Sequence, residues 1–67
     1  MNPKVLGKKI KIARIEQDLN QTDFAKKIGA NQKSVSRYEN GLSVPTLETM
    51  AKIAKVLRKS VDYFLEK

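Results

Sequence analysis

Residues 20–41 read NQTDFAKKIGANQKSVSRYENG, and the rest of the chain can be read outward from them. Phe24, Ala25 and Ile28 fall at i, i+1 and i+4, and Val35 and Tyr38 at i and i+3. Each set lies on one face of a helix. Gly29 stands where the first helix must stop, because glycine enters the left-handed region at little steric cost. Asn20 precedes the first helix as an N-cap, with Asp23 in its first turn, and Asn31 can cap the second helix in the same way. The expected elements are a helix over about 21–28, a turn of about three residues, and a helix over 32–39 closed by Gly41.

With Val35 and Tyr38 turned inward, the second helix presents Asn31, Gln32, Lys33, Ser36 and Arg37 outward. Gln32 can offer a bidentate amide to adenine, and Lys33 and Arg37 can donate to guanine N7 and O6 or to phosphate. Asn31 stands at the entry, within reach of a base edge or the backbone. Ser34 and Ser36 are short enough to allow close approach, and either can bond phosphate. The bland reading of any one of these residues is a solvated helix face. Taken together, in this frame, they point to base and phosphate contact.

The run LNQTDFAKKIGANQKSVSRYENG, with PTLETMAKIAKVL after it and KKIKIAR before it, resembles the helix-turn-helix domain of the phage repressor, Cro and XRE type. The resemblance covers roughly residues 6–65. Its most specific parts are Gln21, Phe24-Ala25, Gly29, Ser36-Arg37, Glu39-Asn40-Gly41, and Pro45 with Leu47-Glu48-Thr49. It implies an all-α fold, a compact bundle of five short helices like the lambda repressor's DNA-binding domain, with the helix-turn-helix at about 21–40 in the second and third helices. It also implies that Gln21 and the loop from Asn40 to Ser43 clamp phosphates on either side of the reading helix; Ser34, by its short side chain, is the further phosphate candidate. Gln21 is expected to brace Gln32 as well; the alternative is a solvated first-turn glutamine. Arg14 and Glu39 are expected to form a partly buried ion pair between the first and third helices. The alternative for Arg14 is exposure to solvent or phosphate.

The chain departs from the family pattern in two places. Leu42 and Val44 stand in a loop that often carries basic residues, which implies weaker phosphate binding there or contact with a second subunit. Arg58 and Lys59 replace a usual glycine and apolar residue, so the exit of the fourth helix must be built differently.

Around this centre the sequence supplies a core. Residues 1–4 are expected to form a short arm, although Pro3 after Asn2 also fits a capped helix start. A helix over 5–17 would bury Leu6, Ile10 and Ala13, with one of Ile12 and Ile15 closing the core edge. Leu19 would be buried in the turn that follows. Thr46 caps a fourth helix with Leu47, Met50, Ala51, Ala54 and Leu57 inward. Ser60 caps a fifth over 61–65, with Val61, Phe64 and Leu65 packing back. By resemblance, Val61, Tyr63, Phe64 and Leu65 are also the candidate contacts of a homodimer, formed in solution or only on DNA.

Sixty-seven residues are expected to make one domain, residues 1–67. A chain of this size buries only roughly 60% of its unfolded surface. Fourteen lysines and arginines against seven acids leave +7, a field that attracts phosphate. Without cysteine or histidine the usual zinc ligands and His-based nucleophile pairs are missing, so no metal, cofactor, small-molecule ligand or enzymatic activity is expected. No run approaches the ~18 apolar residues of a membrane span, and none at the N-terminus matches a signal peptide. The expected place is the cytoplasm, at the nucleoid, with no membrane partner.

The leading expectation is a sequence-specific regulator of transcription, a repressor, that binds double-stranded DNA at a near-palindromic operator. The rivals are an antitoxin-like protein whose main contact is another protein, and a non-specific basic DNA binder.

Overall fold

The computed structural model describes residues 1–66, which contain five α-helices and no strand. These are α1 (Pro3–Glu16), α2 (Gln21–Lys27), α3 (Gln32–Glu39), α4 (Leu47–Leu57) and α5 (Val61–Leu65). Each begins at a polar side chain that takes up free backbone N–H groups: Asn2, Asn20, Asn31, Thr46 and Ser60. Caps of this kind contribute about 1 kcal/mol each, which matters for helices as short as α2 and α5.

The first four residues do not form an arm. The Asn2 Oδ1 accepts from the backbone N–H of Lys4 at 2.9 Å, and Pro3 is the first helical residue. Proline is suited to that position because its fixed φ is already helical and its missing N–H would have had no partner.

Leu6, Ile10 and Ala13 of α1 meet Phe24, Ala25 and Ile28 of α2 and its exit, and Val35 of α3, in one contiguous core. Met50, Ile53, Ala54 and Leu57 of α4 and Phe64 of α5 close it. Leu19 and Tyr38 pack half-buried against this cluster.

Three core expectations need correction. Leu47 is 73% exposed and Ala51 is exposed, while Ile53 is fully buried. The inward stripe of α4 is therefore Met50, Ile53, Ala54 and Leu57, and the first turn of the helix overhangs the core. Ile12 and Ile15 are both exposed, so neither closes its edge. Leu65 also faces out, at the last turn of α5.

Two polar residues adopt the left-handed conformation that glycine favours. Asp18, after α1, has φ 56°, and Arg58, the C-cap of α4, has φ 60° and ψ 40°. The exit of α4 thus keeps the backbone a glycine would give, with the Lys59 N–H donating back to the Ala54 carbonyl at 3.0 Å. Arginine bears the steric cost of about 1–2 kcal/mol that glycine would escape.

Candidate nucleic-acid interface

Helix α3 turns Val35 into the core, fully buried, and leaves Gln32, Lys33 and Arg37 exposed. Ser34 and Ser36 are half-buried at its flanks. Asn31 is exposed at the entry, but its Oδ1 accepts the Ser34 N–H at 2.8 Å. The cap uses the amide's acceptor, so Asn31 offers an outside partner its N–H donors. The turn before α3 is made by Gly29 at φ 69°, and the Ala30 N–H donates to the Ala25 carbonyl at 2.8 Å.

A relay of side chains links the first residue of α3, Gln32, to its last, Glu39. Gln32 Nε2 donates to Gln21 Oε1 at 2.7 Å, and Gln21 Nε2 donates to Glu39 Oε1 at 3.1 Å. Glu39 in turn takes Arg14 bidentately, Nε to Oε2 at 2.6 Å and Nη2 to Oε1 at 3.0 Å. The third guanidinium nitrogen, Nη1, donates to the Leu19 carbonyl at 2.7 Å. Arg14 and Glu39 are each 8% exposed. Two charges withdrawn from water this far are tolerable because the fork-on-carboxylate geometry and the added bonds replace their hydration. Among the described residues no buried side-chain nitrogen or oxygen is left without a partner.

The relay limits what each glutamine has left. Gln32 keeps its Oε1 and one amide hydrogen, the acceptor and donor that a bidentate contact with adenine requires. Gln21 is half-buried with its side chain bonded at both ends. One side-chain hydrogen and its backbone N–H, at the first position of α2, remain for a phosphate.

Beyond this relay, the C-terminal end of α3 has contacts of its own. Arg37 Nη2 lies 3.4 Å from the Leu42 carbonyl, a long contact that leaves the guanidinium available. Asn40 Nδ2 donates to Ser36 Oγ at 3.3 Å, and Ser43 is half-buried in the loop after Gly41, whose φ is 72°. Here α1 crosses so closely that a Cβ on Gly7 would collide with the Tyr38 carbonyl oxygen and lie 2.7 Å from that of Glu39. Gly7 did not stand out in the sequence, where a lone glycine in a helical pattern reads as a weak point.

Of the four residues read as a dimer contact, Phe64 is 1% exposed and belongs to the core. Val61 and Tyr63 are half-buried, and Leu65 is 38% exposed. A larger apolar exposure lies just past α3, where Leu42 is 64%, Val44 42% and Leu47 73% exposed. The sequence flagged Leu42 and Val44 as unusual for the loop but placed Leu47 inside.

A family model described as helix-turn-helix matches residues 10–64. The chain belongs to this helix-turn-helix family. It is 41% identical over 51 residues to the cryptic phage CTXphi transcriptional repressor RstR of Vibrio cholerae, covering 76% of this chain and 46% of RstR. It is 35% identical over 60 residues to antitoxin HipB of Escherichia coli, covering 90% of this chain and 68% of HipB. The fold matches the P22 c2 repressor in complex with a synthetic operator at TM-score 0.89 and 26% identity, covering 92% of this chain and 94% of that one. The chain spans between 28% and 46% of the length of RstR and two further relatives, so the match to them is a match of one helix-turn-helix unit.

Proposed function

We propose that this chain is a sequence-specific DNA-binding repressor of transcription. It acts in the cytoplasm as one domain, with α3 in the major groove of an operator. One observation carries the reading: the exposed Gln32, Lys33 and Arg37 stand on a helix fixed by two unrelated devices, a side-chain relay from its first residue to its last and a close backbone crossing at its last turn. A helix held in this way can spend its outer side chains on base edges, because little further ordering is needed on binding. The P22 c2 repressor, of like fold, is solved on its operator. Repression would follow from occluding promoter DNA.

Gln32, Lys33 and Arg37 are the base readers, with Asn31 and Ser36 at the two edges of the face. Gln21 and Ser34 take phosphate on one side, and Asn40 and Ser43 on the other. Phosphate contacts set the register and base contacts specify the sequence. Two copies would bind half-sites about 34 Å apart. Leu42, Val44 and Leu47 form the better dimer surface, being exposed and adjoining the end of α3. Val61, Tyr63 and Leu65 are the lesser one.

Arg37→Ala tests the assignment. It is expected to lower affinity for the best duplex by about 1–3 kcal/mol and to relax the preference at one base position. Equal loss on every duplex would make Arg37 a phosphate contact instead.

The likeness to HipB supports a second reading, in which the main partner is a protein. Capture of a stoichiometric protein partner, together with failure to select any operator, would favour it.

A further inference from the structure

The outer flank of α1 carries a feature that DNA reading does not use. Val5 and Ile12 are 43% and 48% exposed and, with Tyr63 of α5, floor a groove of about 430 Å³. Lys4, Lys8 and Lys9 line it, and no acidic side chain is among its lining residues. Lys9 is committed: its Nζ donates to the carbonyls of Tyr63 at 3.0 Å and Glu66 at 3.2 Å, fixing the end of α5 against α1. Lys4 and Lys8 are exposed. A second cavity opens beside Val5, lined also by Met1, Asn2, Leu6, Phe64 and Glu66, so the acid-free lining ends at Val5.

At about 100° per residue, Val5 and Ile12 lie roughly 140–160° around α1 from Gly7, where α1 meets α3. A molecule on Val5 and Ile12 and DNA on α3 therefore occupy different flanks, with Lys4, whose stem lies against Gly41, between them. The apolar floor suits neither phosphate nor sugar. A second copy meeting this face across a twofold would set lysine against lysine.

We propose that this groove docks an acidic amphipathic helix of another protein. Its apolar residues, at i, i+3/i+4 and i+7, would lie on Val5, Ile12 and Tyr63, and its flanking carboxylates would meet Lys4 and Lys8. Helices recognised in grooves use this spacing of anchors. Cationic rims on an apolar floor select an acidic helix over a basic one of equal hydrophobicity.

The test is a titration of isotope-labelled protein with two synthetic helical peptides of about 14 residues, each with leucines at that spacing, flanked in one by glutamates and in the other by lysines. The expected result is backbone shifts at Val5, Lys8, Ile12 and Tyr63 with the glutamate peptide alone, also in the presence of DNA bound to α3. Ile12→Glu, an exposed change with no core to disturb, should weaken that peptide by about tenfold or more while leaving the melting temperature and DNA affinity unchanged. Lys8→Glu should weaken the glutamate peptide and let the lysine peptide bind. Shifts confined to α3, equal binding of both peptides, or Ile12→Glu without effect would each overturn the proposal. So would a concentration-dependent dimer that Ile12→Glu abolishes, which would give the face to a second copy.

Discussion

Two opposite means fix α3, one along its flank and one at its last turn. Along one flank, from its first residue to its last, side chains do the holding: Gln32 to Gln21, Gln21 to Glu39, Glu39 to Arg14. Where α1 crosses the last turn, backbone does it. Gly7 lets α1 approach the carbonyls of Tyr38 and Glu39, and Gly41 leaves room for the stem of Lys4. The first device is directional and depends on charge. The second is steric and depends on a missing side chain. One therefore fails by deletion and the other by addition.

The largest expected effect comes from the first device. Glu39→Ala strands the Arg14 guanidinium in a nearly dry site, at a cost of about 3–5 kcal/mol. For a domain of this size that lowers the melting temperature by roughly 12 °C or more. Replacing both partners with apolar residues of similar volume should cost less than removing one, because no buried charge is then left alone. A melt unchanged by Glu39→Ala would show the relay to be solvated and the comparison empty.

The second device makes a prediction of sign. Alanine is the better helix former by roughly 0.5–1 kcal/mol, so propensity alone says Gly7→Ala should stabilise. The space says otherwise: α1 must lift off two backbone carbonyls, and overpacking of this kind costs about 1–3 kcal/mol. A lower melting temperature, with weaker DNA binding as α3 shifts, is expected. A higher one would mean that the helices do not approach as closely as drawn.

The smallest effect is at Gln21. Gln21→Ala removes a brace and the proposed phosphate contact while leaving the ion pair, so stability should fall by only about 1 kcal/mol. Affinity should drop on selected and random duplexes alike. A loss confined to one base position would make Gln21 only the brace of Gln32.

The same contrast explains what could be read in advance. Two links of the relay were legible, but the Gln21–Glu39 bond that joins them was not. The family resemblance supplied the Arg14–Glu39 and Gln21–Gln32 pairings, which spacing alone does not give. The outward face of α3 was legible because Val35 and Tyr38 set its orientation. The caps Asn20, Asn31, Thr46 and Ser60 were legible because each stands just ahead of a helical pattern.

The steric device was not legible. Gly7 carries no chemistry of its own, and only the position of α3 gives it meaning. The inward stripe of α4 was misjudged by a rotation of about 50°, since Leu47 and Ala51 keep the same period as the true stripe and differ only in phase. Phase is set by the neighbours a helix packs on. Phe64 was offered both as core and as dimer contact because the sequence of a five-residue helix cannot separate the two. The structure assigns it to the core.

Selection of bound duplexes from a random pool, followed by affinity measurement at fixed salt, tests most directly whether α3 reads bases. The expected result is a near-palindromic pair of half-sites bound at least about 10³-fold more tightly than scrambled DNA. A pool that yields no consensus, with the best and scrambled duplexes bound equally, would contradict it.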